Sequence, residues 1–354
     1  MFELKVKHKE RKLTISFYGG EPLVNIRFIK QIVEAARQLN VGKELELKFS
    51  MTTNATLIHK HIDFLVENQF GLLISLDGDE EGQSYRLFVK NNQNSFSRVI
   101  ENIDMILRDY PEYFEKHVNF NAVLHNRNSI QSIHEFIYAR YHKIPRISQL
   151  NTGELNPDKK ELFEQMFHGR RKSEEDYPNE ASDLLPGIRE EFSSYKELSR
   201  FVKNCSINYY ISNLLYLFYD RINMIPTGTC KPFSKKIFLD TQHNLYPCEK
   251  INYKYSMGKV NKNIMIDLSG IARQFTYYYE QFTKVCQNCY SSSRACTICM
   301  LTIGNLDKLD TEELVCYGFQ DQEAFKAKLE RVFSLFEKQP DDFLKITGKL
   351  MING

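Results

Sequence analysis

The sequence predicts an α/β protein: parallel βα units of a barrel or open barrel over residues 1–151, followed by a small cysteine-rich module. Three observations predict it. Short β-type runs alternate with amphipathic helices from residue 13 to 151, each run ends in polar residues, and all eight cysteines lie at or after Cys205. Parallel strands need a crossover between them, usually a helix, and α/β proteins place ligand-binding groups at the carboxyl ends of their strands.

LTISFY opens the series, and NIRFIKQIVEAARQL follows as a helix whose Ile26, Ile29, Ile32, Val33, Ala36 and Leu39 keep to one face. ELELKFSMTTN alternates as a second strand, and Leu57, Ile58, Ile62, Leu65 and Val66 mark the next helix. FGLLISLDG is a third strand, buried in character. A helix over 96–107, the strand HVNFNAVL, a helix over 129–139 and the strand RISQLN complete the barrel-like part. Residues 152–224 read as a charged helical bridge with loops around Gly169 and Pro186. Residues 225–320 read as short strands, turns and cysteines, and 321–354 as C-terminal amphipathic helix carrying Phe325, Leu329, Val332, Phe333 and Leu335. The sequence lacks GxGxxG, so a Rossmann dinucleotide site has no support.

With 42% hydrophobic residues in 354, the chain can bury one large core and a smaller one. The formal net charge of +2 implies no field suited to nucleic acid or a membrane surface. The tyrosines and phenylalanines fall at core-like positions, which excludes an aromatic nucleic-acid platform. No apolar run approaches the roughly 20 residues of a membrane span, and MFELKVKHKE lacks the apolar stretch of a signal peptide. A cytoplasmic protein is expected.

In a reducing cytoplasm the cysteines read as metal ligands rather than disulfides. Cys286-Gln-Asn-Cys289 and Cys296-Thr-Ile-Cys299 each space two thiolates so that one turn can present both to a metal. Alone, these four read as one structural zinc. Cys230 and Cys248 flank a hairpin in KPFSKKIFLDTQHNLYP, and Cys316 follows the pairs, so seven cysteines exceed one zinc site. Iron–sulfur clusters are the expectation, with zinc or a mixture as the alternative. Cys205 lies outside this pattern and reads as a small buried hydrophobe.

Cys230, Cys248, Cys286-x2-Cys289-x6-Cys296-x2-Cys299 and Cys316 resemble the SPASM domain, the auxiliary-cluster module of many radical S-adenosylmethionine (SAM) enzymes. Upstream, FYGGEP, MTTNAT and SLDG, at the ends of successive strands, resemble the SAM-binding edges of the radical SAM partial barrel. The resemblance spans about residues 13–320. It implies a partial (β/α) radical SAM barrel lacking its first strand, followed by a SPASM domain. It also implies that Gly19, Gly20 and Glu21 hold the amino group of SAM, and that Thr53, Asn54, Ser75 and Asp77 line the same rim toward its carboxylate or ribose. One [4Fe–4S] cluster would take Cys286, Cys289, Cys296 and Cys316. The other would take Cys230, Cys248 and Cys299, leaving an iron site open for a substrate group or another ligand.

Radical SAM chemistry, as the resemblance implies it, needs a further [4Fe–4S] cluster held by CxxxCxxC before the Gly-Gly-Glu turn. Here that turn begins at Gly19, so Met1 is expected to be an internal methionine of a longer enzyme, and the chain by itself to be inactive. The full enzyme is expected to be a radical SAM oxidoreductase that matures a ribosomally made precursor peptide or a protein. Flavodoxin or ferredoxin would donate electrons. The alternatives are an anaerobic sulfatase-maturating enzyme forming formylglycine, with Glu249 after Cys248 as a candidate base, and a non-catalytic pseudo-enzyme or zinc-stabilised peptide-binding protein. Glu249 also reads as a solvated turn carboxylate beside Lys250. His125 and Arg127 either face a substrate cleft or simply precede a helix.

Overall fold

Five strands pair in parallel in the order of the chain: β1 (Lys12–Phe17), β2 (Glu46–Thr53), β3 (Gly71–Ser75), β4 (Val118–Leu124) and β5 (Arg146–Gln149). They belong to a computed structural model that describes residues 2–7, 11–150, 157–177, 188, 192–205, 227–233, 236–290, 296, 298–303, 305–309 and 314–353. The register sets Phe17 opposite Met51, Thr53 opposite Ile74, and Ser75 opposite Asn121. All carboxyl ends therefore meet at one edge of the sheet.

Helix α1 (Phe2–Lys7) precedes β1, and α2 (Ile26–Asn40), α3 (Ile62–Glu67), α4 (Phe96–Asp109), α5 (Pro111–His117) and α6 (Ile130–Tyr141) lie in the crossovers. Two of the long helices have a capping side chain where they begin. Asn25 Oδ1 accepts the Phe28 N–H at the start of α2, and Ser129 and Ser132 form a reciprocal capping box at the start of α6. The buried stripes keep helical spacing: Ile29, Val33 and Ala36 on α2, Val99, Ile103 and Ile106 on α4, and Ile130, Ile133 and Ile137 on α6. They share one core with Leu72, Ile74, Phe120, Ala122 and Leu124 of β3 and β4. Each fully buried aliphatic side chain contributes about 1.5–3 kcal/mol over leaving it in water.

Two details differ from the sequence reading. The helix expected across 57–66 is broken at His61 into a 3-10 turn, Ile58–Lys60, and the short α3. Helix α5 was not anticipated, although Pro111 at its first turn is a start signal.

The chain divides into two compact units, 1–151 with 156–193, and 152–155 with 194–354. The stretch 152–224 is thus shared between them. Its described part holds α7 (Lys160–Met166) and α8 (Arg170–Glu175) in the first unit, and α9 (Ser193–Cys205) at the start of the second. Pro186, residues 206–226 and the Cys205 side chain lie outside the described residues.

In the second unit four short strands pair antiparallel in chain order: β6 (Phe238–Leu239), β7 (Asn244–Tyr246), β8 (Gly258–Val260) and β9 (Ile264–Met265). Asp240 shapes the β6–β7 hairpin, Oδ1 accepting the N–H groups of Gln242 and Asn244 at 2.8 Å each. A Cβ on Gly258 would sit 2.4 Å from the Met265 carbonyl oxygen, so β8 and β9 approach closely only with glycine there. Helix α10 (Leu268–Cys286), capped by Asp267, buries Phe275, Tyr278 and Phe282 in a core with Tyr246, Ile251 and Met300. Helices α11 (Gln322–Lys338) and α12 (Pro340–Asn353) follow, and Val332 and Ile346 pack with Leu198 of α9. Among the described residues no helix is long and apolar enough to cross a membrane.

Candidate functional site

The loops leaving β1, β2 and β3 carry Gly19-Gly20-Glu21, Thr53-Asn54 and Ser75-Asp77 to the same sheet edge. Gly19 has φ +147°, in the range that favours glycine, and a Cβ at Gly19 or Gly20 would meet no other atom within 4 Å. The backbone of this turn is therefore open to a ligand. Glu21 turns its carboxylate inward. Oε1 accepts the Thr53 hydroxyl at 2.8 Å and the Leu23 N–H at 3.1 Å, while Oε2 accepts the Asn54 N–H at 2.7 Å. One side chain thus ties the end of β1 to the end of β2. Thr53, buried at 2% exposure, also accepts the Ala55 N–H at 3.0 Å. Asn54 Oδ1 accepts the Thr56 N–H and hydroxyl. Among the described residues, Asn54 Nδ2 and the Ser75 hydroxyl have no hydrogen-bond partner, so both can serve a ligand at this rim.

Asp77 does different work. It is 3% exposed, and its carboxylate takes a two-pronged contact from Arg86, Nε to Oδ2 at 2.5 Å and Nη2 to Oδ1 at 2.9 Å. Oδ1 also accepts the Val123 N–H at 2.7 Å, joining the end of β3 to β4. Gln83 Oε1 accepts the Asp77 N–H, and Asn128 Nδ2 donates to its carbonyl. Such a paired and hydrogen-bonded carboxylate fixes geometry.

His125 follows β4 and is buried at 2% exposure. Its Nδ1 accepts the Arg127 N–H at 3.1 Å, so the ring proton sits on Nε2, which lies 3.0 Å from the Gly82 carbonyl. Burial, partly offset by Asp77, holds its pKa below the usual histidine value. The imidazole is therefore neutral and locks the 77–95 loop. Arg127 lies on the face of Tyr85, 4.1 Å from the ring centroid, and donates to Ser84.

The thiols of the second unit fall into two neighbourhoods. Cys286 ends α10 and feels Cys296, Cys289 and Cys316; burial, with these like charges, pushes its thiol up to about 11. Burial also raises Cys316, which feels Cys296 and Cys289. The Gln320 N–H donates to Cys289 Sγ at 3.4 Å. In the other neighbourhood Cys299 feels Cys230, and Lys236 feels both Cys248 and Cys230. The Lys250 N–H donates to Cys248 Sγ at 3.4 Å. Burial raises Cys248 and Cys299 as well. Among the described residues no three His, Cys, Asp or Glu side chains already converge in metal-ligand geometry.

Two groups test whether this neighbourhood suits a metal centre. The Tyr279 hydroxyl is buried with no hydrogen-bond partner among the described residues, and it lies within electrostatic reach of Cys299 and Cys230. An orphaned donor beside soft ligands fits a centre that brings acceptors of its own, as thiolates and sulfide do. Lys236 Nζ lies 3.0 and 3.1 Å from the two Glu249 oxygens, and Glu249 Oε2 lies 3.5 Å from Cys248 Sγ. Burial opposes ionisation of Glu249, but its own backbone N–H and Lys236 hold the carboxyl below the ordinary glutamate value. Glu249 is thus ion-paired, not a solvated turn carboxylate beside Lys250.

The first unit supplies no thiolate to a SAM-chelating cluster, since the cysteines begin at Cys205. Sequence reasoning missed Arg86, Gln83, Asn128, Lys236 and Tyr279. Arg86 follows Asp77 by nine residues in a loop, a spacing that carries no general signal. Tyr279 lay in a helix the sequence reading had not placed.

Residues 3–137, which hold most of the parallel half-barrel with its polar strand ends, match the model of the radical SAM superfamily. The chain is similar to the Cysteine-type anaerobic sulfatase-maturating enzyme of Clostridium novyi, 26% identical over 294 residues that cover 79% of this chain and 71% of that one. It is also similar to the radical SAM cyclopropyl synthase TigE of Paramaledivibacter caminithermalis, 26% identical over 125 residues, 35% of this chain and 24% of that one. Among solved structures, native anSMEcpe with bound AdoMet matches at a TM-score of 0.57 and 17% identity, covering 98% of this chain and 87% of that chain. The same protein with bound AdoMet and Cp18Cys peptide matches at 0.55 and 16%, covering 99% and 90%. At these identities the structural likeness establishes the fold.

Proposed function

We propose that this chain is the SAM-binding and auxiliary-cluster part of a radical SAM maturase that modifies a precursor peptide or protein, fed with electrons by a flavodoxin or ferredoxin. The observation that carries the reading is the ordered rim: an open Gly19-Gly20 backbone with the Ser75 hydroxyl and Asn54 Nδ2, unpartnered among the described residues, at neighbouring strand ends. With the family's SAM cluster, whose thiolates the first unit does not supply, bound SAM would provide hydrogen abstraction from a substrate residue. The protein's part is placement. Gly19 and Gly20 offer carbonyls to the amino group of SAM, Ser75 and Asn54 reach its carboxylate or ribose, and Glu21, Thr53 and Asp77 hold the strand ends that carry them. Cys286, Cys289, Cys296 and Cys316 would hold one auxiliary [4Fe–4S] cluster, and Cys230, Cys248 and Cys299 the other.

Calorimetric titration with SAM tests the rim. Ser75→Ala and Asn54→Ala should each weaken binding about tenfold, or ~1.4 kcal/mol. Absence of binding by the unaltered protein, or equal affinity in both variants, sinks the rim assignment. Metal analysis tests the second unit separately: iron with acid-labile sulfide supports clusters, and zinc without sulfide supports a zinc-stabilised binding protein.

Sulfatase maturation is the second reading, supported by the name and coverage of the Clostridium novyi relative. In this chain Glu249 would act as a base only after release from Lys236. An aldehyde-specific probe on a sulfatase-derived peptide distinguishes formylglycine from a crosslink.

A further inference from the structure

We infer that the Tyr279 hydroxyl is a positioning residue for the Cys230, Cys248 and Cys299 site, donating a hydrogen bond to a sulfur of the metal centre held there. This rests on the proposal that the three thiols hold an iron–sulfur cluster.

Three observations lead to it. The Tyr279 hydroxyl is fully buried, yet among the described residues it has no hydrogen-bond partner. Burying a hydroxyl without a partner is costly, so such a group normally has an acceptor supplied by something else. Its position is fixed from both ends. The ring stands edge-on to Phe275, one turn earlier on α10, with centroids 6.1 Å apart, and its backbone carbonyl accepts the Thr283 hydroxyl at 2.7 Å. Finally, Tyr279 packs against the same core as Cys248 and Cys299, and it lies within electrostatic reach of Cys299 and Cys230.

The two thiol neighbourhoods differ in the donors they are given. Backbone N–H groups are the described donors to the Cys286, Cys289, Cys296 and Cys316 set, from Gln320 to Cys289 and from Gly318 and Phe319 to Cys316. The Cys230, Cys248 and Cys299 set has side-chain donors as well. Thr229 donates to Cys299 and is itself held by the Met300 N–H, 2.8 Å from its hydroxyl, while the Lys236 ammonium stands near Cys248 and Cys230. Tyr279 is the neutral donor on this side with no acceptor among the described residues. Hydrogen bonds to cluster sulfur stabilise the reduced, more negative state and raise the reduction potential, while the Lys236 charge is offset by its partner Glu249. The Cys230, Cys248 and Cys299 site is therefore the one reduced first.

The test is a potentiometric titration of the anaerobically prepared, cluster-loaded protein, followed by electron paramagnetic resonance, for the unaltered chain and Tyr279→Phe. The variant should keep its iron and sulfide, shift the higher of two midpoint potentials downward, and leave the lower one in place. Two unmoved midpoints, or a shift confined to the lower one, overturn the assignment. If Tyr279→Phe loads poorly, 3-fluorotyrosine placed at residue 279 keeps the ring and strengthens the donor. It should move the higher midpoint upward, and no movement there overturns the assignment as well. Unaltered protein that carries zinc and no sulfide refutes the cluster reading, a result distinct from an unmoved midpoint.

Discussion

The two units handle their ionisable groups differently. At the strand ends of the first unit, Glu21 and Asp77 each accept three hydrogen bonds from residues of the same unit, which tie the edge together. In the second unit four thiols are raised by burial, and the Tyr279 hydroxyl has no acceptor among the described residues. The first site is organised by its own hydrogen bonds, so it should keep its form without a ligand. Under the proposed cluster reading the second is completed by its metal centre, which would couple its stability to metal.

The sharpest way to break this contrast is Asp77→Ala. It leaves Arg86 partly buried without its counter-charge and removes the acceptor for the Val123 N–H, so the unfolding transition of the first unit should fall by about 3–5 kcal/mol in a denaturant titration. A change below 1 kcal/mol would mean that Asp77 is not the joint between β3 and β4. Next, removal of metal with a chelator should lower the thermal transition of the second unit while the first stays put, followed by limited proteolysis with mass spectrometry. Equal loss in both units would refute the division. Glu21→Gln should cost about 1–3 kcal/mol, because an amide presents one oxygen where three donors now converge.

The smallest effect concerns pH. His125 has a depressed pKa in the folded protein, so between that value and the ordinary 6.5 the unfolded chain binds the extra proton. Its contribution to stability is complete above about pH 6.5 and is lost as the pH falls toward the folded pKa. His61 and His117, also lowered by burial, add in the same direction. His125→Gln should flatten part of this slope, measured as unfolding free energy between pH 5 and 7. A slope identical to that of the unaltered protein would show that His125 does not titrate on unfolding.

All five barrel strands were legible because each is a short apolar run ending in polar residues, and a long helix such as α2 repeats its apolar positions at helical spacing. Helix α10 was hidden. Its apolar positions, Phe275, Tyr278 and Phe282, do keep helical spacing, but tyrosines blur the contrast and the cysteines that follow dominate the reading. The candidate rim was legible as glycines and polar residue types at strand ends. Which groups serve a ligand and which serve each other was not. That division depends on Arg86 reaching back nine residues to Asp77, on Lys236 reaching forward thirteen to Glu249, and on Val123 approaching from 46 residues away. Pairings of this kind follow from the folded path of the chain.

The Asp77 contacts also set an order of events during synthesis. The carboxylate waits for the N–H of Val123, and its carbonyl waits for Asn128, 51 residues downstream. While the ribosome is still making α4 and α5, the end of β3 remains solvated and its loop has nothing to close against. The candidate rim at β3 is thus set only after β4 and Asn128 have emerged, and a stalled nascent chain that has exposed β4 but not Asn128 would carry a sheet without a finished rim.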